Sequence, residues 1–141
     1  MDPATLTGLE LMQAMLDGKI PPPSIAITIP MQGVAVESGK VVFQARADER
    51  HLNPLGAVHG GFAATVMDTV TGCAVHTLLG AGEGYGTELL NEPAPRDVDL
   101  VAEGSVINIS RSLAVSEGTL KDADGKLYAH ATATCMLMRG R

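Results

Sequence analysis

The sequence predicts an α+β domain in which one curved antiparallel β-sheet wraps around a single long central α-helix. The first observation is a run of small and apolar residues, from about 60 to 79, that is long enough for a buried helix. The second is that β-like segments stand on both sides of this run, two before it and three or four after it. With 141 residues and no internal repeat, the chain is predicted to form one domain.

The N-terminal part, residues 1–23, is predicted as a short helix and a proline-rich connector, and residues 24–139 as the core of the domain. Residues 6–17 carry apolar side chains at helical spacing, and Gly18 is typical of a residue that ends a helix. Three consecutive prolines, Pro21 to Pro23, then predict a stiff connector.

The remaining segments predict strands and turns. Before the central helix, residues 24–31 and 40–47 read as two strands joined by a turn at 37–40, and a polar loop at 48–58 follows. Glycines at 80, 82, 84 and 86 end the helix. After it, alternating side chains predict strands at 98–110, 112–122 and 126–138, with a bend at Arg111 and a turn at 122–125. Thr87 to Leu90 is a shorter strand candidate.

Composition excludes some function classes. The formal charge of −6 and the scatter of the ten basic residues argue against nucleic-acid binding, which needs a basic stripe. No apolar stretch reaches the roughly 20 residues of a membrane span, and no signal peptide is recognised, so we expect a cytoplasmic protein without a membrane partner. Cys73 and Cys135 have no metal or redox spacing and are expected to be buried thiols; no metal site is predicted.

Asp68 is the one carboxylate in the central helical run. A helical wheel places it on a face with small side chains, and this face is expected to border another protein surface or a slender ligand. That face carries Gly61, Ala64, Thr65, Thr71, Gly72 and Val75, whereas the opposite, apolar face carries Ala63, Val66, Val70, Cys73 and Thr77. A solvated or ion-paired Asp68 is the alternative, since burying a carboxylate costs several kcal/mol unless it is compensated.

The helix begins with His59, Gly60 and Gly61. Two glycines leave the first backbone N–H groups open at the positive end of the helix dipole, where they can polarise a carbonyl group and stabilise an oxyanion. Gly60 precedes Asp68 by eight residues, which is roughly 12 Å along one helix. A dimer that sets two such helices side by side would bring Asp68 of one chain near Gly60 of the other.

The spacing of Asn53, the His59-Gly60-Gly61 run and Asp68 resembles that of the hotdog-fold acyl-CoA thioesterases of the phenylacetate-degradation (PaaI-like) type. The resemblance covers residues 20 to 138. It implies the hotdog fold, a homodimer that stacks into a homotetramer, an active site at the dimer interface, and hydrolysis of acyl-CoA to free acid and coenzyme A. Coenzyme A is then part of the substrate, and no metal or redox cofactor is implied.

The resemblance also implies roles for single residues. Asp68 would be the nucleophile or general base, and Gly60 would polarise the thioester carbonyl through its N–H. Asn53 would position the water or the thioester, and His59 would hold the loop or lie near the leaving thiolate. The implied substrate-binding residues are Gly61, Thr65, Thr87, which would help to hold the water, and Arg111, which would contact the CoA phosphates unless it is only a surface charge.

Two rival functions remain open at this point. One is a hotdog hydratase or dehydratase, although the spacing of the glycines and Asp68 favours hydrolysis. The other is a non-catalytic acyl-CoA binding module, because the strand after the helix is about three residues short and contains Pro93 and Pro95, which cannot donate to a ladder. The scarcity of aromatic residues indicates medium-chain or aryl-acyl substrates.

Overall fold

The structure is a computed structural model that describes residues 2–85 and 94–138. The predicted short strand at 87–90 and the apparent shortening around Pro93 lie outside these residues. Within them, no helix is long and apolar enough to cross a bilayer.

The N-terminal helix α1 spans Gly8–Leu16, as the spacing predicts. It begins with a capping box, in which the Thr7 hydroxyl accepts a hydrogen bond from the Glu10 N–H and the Glu10 carboxylate accepts one from the Thr7 N–H. Gly18 follows with φ +71°, a left-handed conformation that favours glycine. The helix therefore begins and ends where its local sequence dictates.

The predicted strand at 24–31 is wrong over most of its length. Residues Ile25–Thr28 form a short helix, α2, and the first strand begins only at Met31. Ala26 and Ile29 both pack against the core. A strand would point these two side chains, three residues apart, to opposite faces, whereas one helical turn points them to the same side. Core packing therefore overrides the β-like composition.

Five antiparallel strands form one sheet in the order β1-β2-β3-β4-β5. They are β1 (Met31–Glu37), β2 (Lys40–Arg46), β3 (Asp99–Ile109), β4 (Leu113–Lys121) and β5 (Leu127–Met136). The tight turns before β2 and β5 contain Gly39 and Gly125, with φ of +80° and +83°. The predicted fold class, an antiparallel sheet around one long helix, is confirmed.

The central helix α3 spans Gly60–His76. Ala63, Val66 and Val70, on the predicted core face, are fully buried. The burial extends further than predicted, because Thr71, Gly72 and Val75, which share the Asp68 face on a wheel, are buried as well. Within the described residues, the sheet and Tyr85 cover the second half of α3, where every residue after Asp68 is at least partly buried, and the open face of the helix lies in its first half.

A pair of glycines allows the sheet to approach α3 closely. Gly104 on β3 and Gly118 on β4 lie directly opposite each other. A Cβ atom at Gly104 would collide with the Val70 carbonyl oxygen, and one at Gly118 would lie 2.7 Å from Met67 Cε. These two glycines therefore form a notch in the sheet, and the middle of α3 fills it.

Candidate active site

The loop before α3 is organised by the side chain of Asn53. Its Oδ1 accepts hydrogen bonds from the N–H groups of Leu55, at 2.9 Å, and Ala57, at 3.1 Å. Gly56 takes φ +81° inside this turn, and the Asn53 N–H donates to the Ala57 carbonyl oxygen at 2.8 Å. The carboxamide oxygen is therefore committed to the loop. This leaves the amide nitrogen, Nδ2, as the part of Asn53 that is suited to a substrate or a water molecule.

His51 joins this loop to the start of α3. Its ring is buried and packs on Phe62, with 5.3 Å between the ring centroids. Nδ1 accepts the Asp48 N–H at 3.0 Å, and Nε2 lies 3.1 Å from the Thr28 carbonyl oxygen, so Nε2 carries the proton and donates. The His51 carbonyl oxygen in turn accepts the His59 N–H at 2.7 Å. His51 was not among the predicted site residues, and the structure shows that it supports the loop.

Asp48 contributes to the same support from the surface. It caps the 3₁₀ turn Glu49–His51 and forms an ion pair with Arg50 at 2.7 Å. The Arg50 guanidinium, followed by the Arg50 N–H, holds the pKa of the Asp48 carboxyl group well below its usual range. The carboxylate thus stays charged, and the turn stays capped, at neutral pH.

His59 is the N-cap of α3, and its Nδ1 accepts the Gly61 N–H at 2.8 Å. Because Nδ1 accepts, the proton of a neutral His59 ring is on Nε2. The Gly61 N–H is used in this cap, whereas the Gly60 N–H has no acceptor among residues 2–85 and 94–138. A Cβ atom at Gly60 would find no heavy atom of these described residues within 4 Å. The first turn of α3 therefore offers one open donor, Gly60 N–H, at the positive end of the helix dipole.

Small side chains continue from this turn along the open face of α3. The Thr65 hydroxyl donates to the Gly61 carbonyl oxygen at 2.8 Å, and the Thr69 hydroxyl donates to that of Thr65 at 2.9 Å. Asp68 is exposed on this face. Asn53, His59, Gly60, Gly61 and Thr65 thus lie together at one end of the helix.

Asp68 lies about two turns further along, roughly 12 Å from Gly60 at 1.5 Å per residue. One chain therefore does not place both groups on one reacting carbonyl. The sequence led to the same expectation, because it set Gly60 and Asp68 roughly 12 Å apart along one helix.

Tyr85 borders the Asp68 face, and sequence reasoning missed it. It lies over Gly72, where a Cβ atom would approach its hydroxyl oxygen to 2.7 Å, and its ring centroid is 5.8 Å from that of His76. Burial raises the pKa of the Tyr85 phenol, and the nearby Cys73 and Asp68 add to this effect. The only signal in the sequence was one large side chain inside a glycine-rich run.

Two predicted residues, Thr87 and Arg111, remain. Thr87 is outside the described residues. Arg111 is exposed in the bend between β3 and β4. That bend belongs to the end of the sheet beside the C-terminus of α3, where the Gly39 N–H donates to the Thr77 hydroxyl at 2.8 Å. Within one chain, Arg111 is therefore at the opposite end of the molecule from Gly60.

Cys73 and Cys135 are both free thiols; Cys135 is buried, as expected, whereas Cys73 is only partly buried. In the two described stretches, no three His, Cys, Asp or Glu side chains lie close enough together to hold a metal ion.

Comparisons with known proteins point to one family. Residues 55–129 match the family model described as the thioesterase superfamily. Human acyl-coenzyme A thioesterase 13 is 29% identical over 105 residues, which cover 72% of this chain and 75% of that protein.

Solved structures agree with this match. A phenylacetic acid degradation-related protein from Ralstonia eutropha JMP134 is 33% identical, with a TM-score of 0.79 and coverage of 89% of this chain and 98% of that one. The Escherichia coli PaaI protein, from the phenylacetic acid degradation operon, has the same fold, with a TM-score of 0.76, 16% identity and coverage of 92% and 94%. The resemblance to PaaI-like proteins that the sequence indicated is confirmed.

Proposed function

The chain belongs to the thioesterase superfamily, and from this premise we infer that it hydrolyses acyl-CoA thioesters to the free acid and CoA. Thioester hydrolysis, which the sequence predicted, is confirmed by the family match. The observation that carries the proposed site is the open Gly60 N–H at the start of a helix whose exposed face bears Asp68.

In the proposed reaction, the Gly60 N–H donates to the thioester carbonyl oxygen and stabilises the oxyanion that forms on attack. Asp68 acts in one of two ways. As a general base it takes a proton from water, and the oxygen of that water attacks the carbonyl carbon. As a nucleophile its own oxygen attacks, and water then hydrolyses the resulting anhydride. In both routes the C–S bond breaks, and the thiolate leaves and takes up a proton.

His59 and Asn53 are proposed to assist. With Nδ1 engaged by Gly61, the Nε2–H of His59 is the part of its ring that can donate to the departing sulfur. The Asn53 amide nitrogen can donate to the water or the thioester, because its oxygen already holds the loop.

We propose that the working site forms between two copies of the chain, within a homodimer that further pairs into a homotetramer. The support is the distance of roughly 12 Å between Gly60 and Asp68 along one helix, which is too long for one reacting group. A second α3 lying alongside would place the partner's carboxylate near the open N–H. Arg111, at the far end of its own chain, is proposed to reach CoA phosphates only in such an assembly.

The first experiment measures release of CoA thiol from acyl-CoAs, from acetyl to tetradecanoyl and including phenylacetyl, by wild type and Asp68→Asn. We expect the variant to lose about a hundredfold to ten-thousandfold in turnover, because its amide neither attacks nor accepts a proton. Asp124→Asn, which neutralises an exposed carboxylate in the β4–β5 turn, is the matched control and should keep full activity. Near-normal turnover by Asp68→Asn would contradict the assigned role.

A mixing experiment tests the shared site. Gly60→Ala and Asp68→Asn chains, each with strongly reduced turnover alone, are combined in equal amounts under conditions that let subunits exchange. A mixed dimer then contains one intact and one doubly altered site, so about a quarter of the wild-type activity should return. If each chain used its own two groups, every site would carry one substitution and nothing would return.

Two further predictions from the sequence are retained as proposals. Hydrolysis is proposed to need no metal or redox cofactor, so dialysis against a chelator should leave turnover unchanged. The proposed location is the cytoplasm, which fractionation of cells that express the protein tests.

A further inference from the structure

The Tyr85 side chain lies over α3 one helical turn beyond Asp68. Its ring covers Gly72, where a Cβ atom would approach Tyr85 Cε2 to 2.5 Å and the hydroxyl oxygen to 2.7 Å. Any other residue at position 72 would therefore move the phenol, so glycine there leaves room for it. Because Gly72 follows Asp68 by four residues, both positions are on the same side of the helix.

Contacts on several sides hold the Tyr85 ring in place. The Gly84 N–H donates to the Met138 carbonyl oxygen at 3.1 Å, and the Met138 N–H donates to the Gly84 carbonyl oxygen at 2.9 Å. The residue before Tyr85 is thus fixed to the segment that follows β5. The ring packs on a cluster of buried apolar residues, and its centroid lies 5.8 Å from that of His76. Packing of this kind gives the hydroxyl group a defined position.

The Tyr85 hydroxyl is available as a hydrogen-bond donor. Burial raises the pKa of the phenol, so the group keeps its proton at neutral pH. Within residues 2–85 and 94–138 it donates to no acceptor, and it is not sealed off either, because His76 Nδ1 is the one fully enclosed side-chain polar atom without a partner there. An accessible O–H of this kind is suited to a carboxylate or a water molecule beside it.

The charge of Asp68 acts on the region around Gly72. After burial, it contributes to the raised pKa of three groups there: Cys73, Tyr85 and Cys135. On a helix, Cβ atoms four residues apart are separated by about 5–6 Å. A carboxylate at position 68 and a hydroxyl group over position 72 are therefore within reach of one hydrogen bond or of one bridging water molecule.

We propose that Tyr85 is a positioning residue for Asp68: its O–H donates to one oxygen of the carboxylate, directly or through one water molecule, and turns the other oxygen toward the reacting group. This role rests on the proposed function, because it requires Asp68 to act in the reaction. The hydrogen bond serves both routes, since a general base and a nucleophile each need a carboxylate oxygen in a fixed orientation. Tyr85 itself touches no reacting atom.

Two variants and a matched control test this role. Tyr85→Phe removes the hydroxyl group and keeps the ring over Gly72. Gly72→Ala keeps the hydroxyl group but displaces it, because the new methyl group would collide with the phenol. Tyr128→Phe is the control: the chain has two tyrosines, and the Tyr128 hydroxyl also donates to a carboxylate, that of Asp122 at 2.9 Å, at the start of β5.

We expect Tyr85→Phe and Gly72→Ala to lower kcat for acyl-CoA hydrolysis by about tenfold to a hundredfold, the effect of losing a hydrogen bond to a charged group. Their KM, and their affinity for a non-hydrolysable thioether analogue of acyl-CoA, should stay near the wild-type values. Tyr128→Phe should keep the wild-type kcat. In an Asp68→Asn background, measured with enzyme in excess over substrate, Tyr85→Phe should have no further effect, because the group through which it acts is gone.

The outcomes separate the two proposals. If the wild type hydrolyses no acyl-CoA, the proposed function fails. If it does, but Tyr85→Phe and Tyr128→Phe have the same kcat, the role of Tyr85 is overturned and the function stands. A loss of kcat that is equally large in the Asp68→Asn background would likewise overturn it, because a merely structural tyrosine acts without Asp68. Melting curves check the fold, and where the Tm of Tyr85→Phe falls, Gly72→Ala makes the same comparison.

Discussion

Glycine has two different roles at α3: one in the first turn of the helix, and the other in the part of the sheet that packs against the middle of the helix. In the first turn, a Cβ atom at Gly60 would meet no atom of the described residues within 4 Å, so sterics in that part of the chain do not require glycine there. In the notch that faces the middle of the helix, a Cβ atom at Gly104 would collide with the Val70 carbonyl oxygen. The notch glycine is explained by packing. The described part of the chain gives no packing reason for the first-turn glycine, and the substrate carbonyl proposed at its N–H would supply one.

The largest expected effect is the loss of stability when the notch formed by Gly104 and Gly118 is filled. Gly104→Ala should lower the free energy of unfolding by about 3 kcal/mol or more, because the rigid backbone of α3 cannot move away from the new methyl group. Thermal unfolding should show a Tm drop of roughly 10 °C. The residual folded protein should keep its kcat/KM; an undisturbed Tm would mean that the sheet does not approach the helix so closely.

The corresponding substitution in the first turn of α3, Gly60→Ala, should preserve stability and lower turnover. Alanine favours helix and meets no neighbour, so the free energy of unfolding should stay equal or rise by up to about 1 kcal/mol. Turnover should fall by about a hundredfold, because the methyl group displaces the thioester from the open N–H. Steady-state kinetics beside a melting curve measure both. Unchanged kcat/KM would remove Gly60 from the site.

On the buried flank of α3, Cys73 is expected to lower the free energy of unfolding at alkaline pH. The pKa of Cys73 is raised from 9.0 to about 12, so the folded state favours the thiol form. This contribution to stability is complete below about pH 9 and is lost as pH rises from there to about 12. By pH 10 the loss should be about 1 kcal/mol.

Denaturant unfolding of wild type and Cys73→Ala at pH 7 and pH 10 measures this effect. The wild type should lose more stability than the variant between the two pH values. Equal losses would contradict a buried thiol.

The smallest expected effect is the loss of stability when the N-cap of α3, His59, is replaced. His59→Ala removes the acceptor of the Gly61 N–H and should cost about 1 kcal/mol of stability. His59→Asn is the matched control, since asparagine is a good N-cap residue and should restore the Tm. If His59 also assists the leaving thiolate, turnover stays low in both variants. Full turnover in His59→Asn would limit the histidine to capping.

Sequence reasoning succeeded where neighbours along the chain decide the outcome. The capping box at Thr7, the glycine turns at 39 and 125, and the start of α3 at His59 follow from residues within a few positions of each other. The spacing between Gly60 and Asp68 was likewise readable, because a helix converts residue number into distance. Their catalytic roles remain predictions.

Other features depend on contacts between residues that are far apart in the sequence. Ile25–Thr28 has a β-like composition, yet it forms a helical turn because the core lies on one side of it. Tyr85 covers Gly72, and His51 links Thr28 to His59, without any motif that announces either contact.

The sequence by itself determined the antiparallel sheet, the central helix and the residues at the start of that helix, because periodicity and capping are local properties. Only the tertiary structure decided that the exposed residues of α3 lie in its first half, that Arg111 lies at the opposite end of the chain from Gly60, and that a cavity lies between α1, α2, β1 and the flank of α3. These depend on how the sheet and the N-terminal segments pack around α3, and packing is fixed by the shapes of surfaces that meet only after folding.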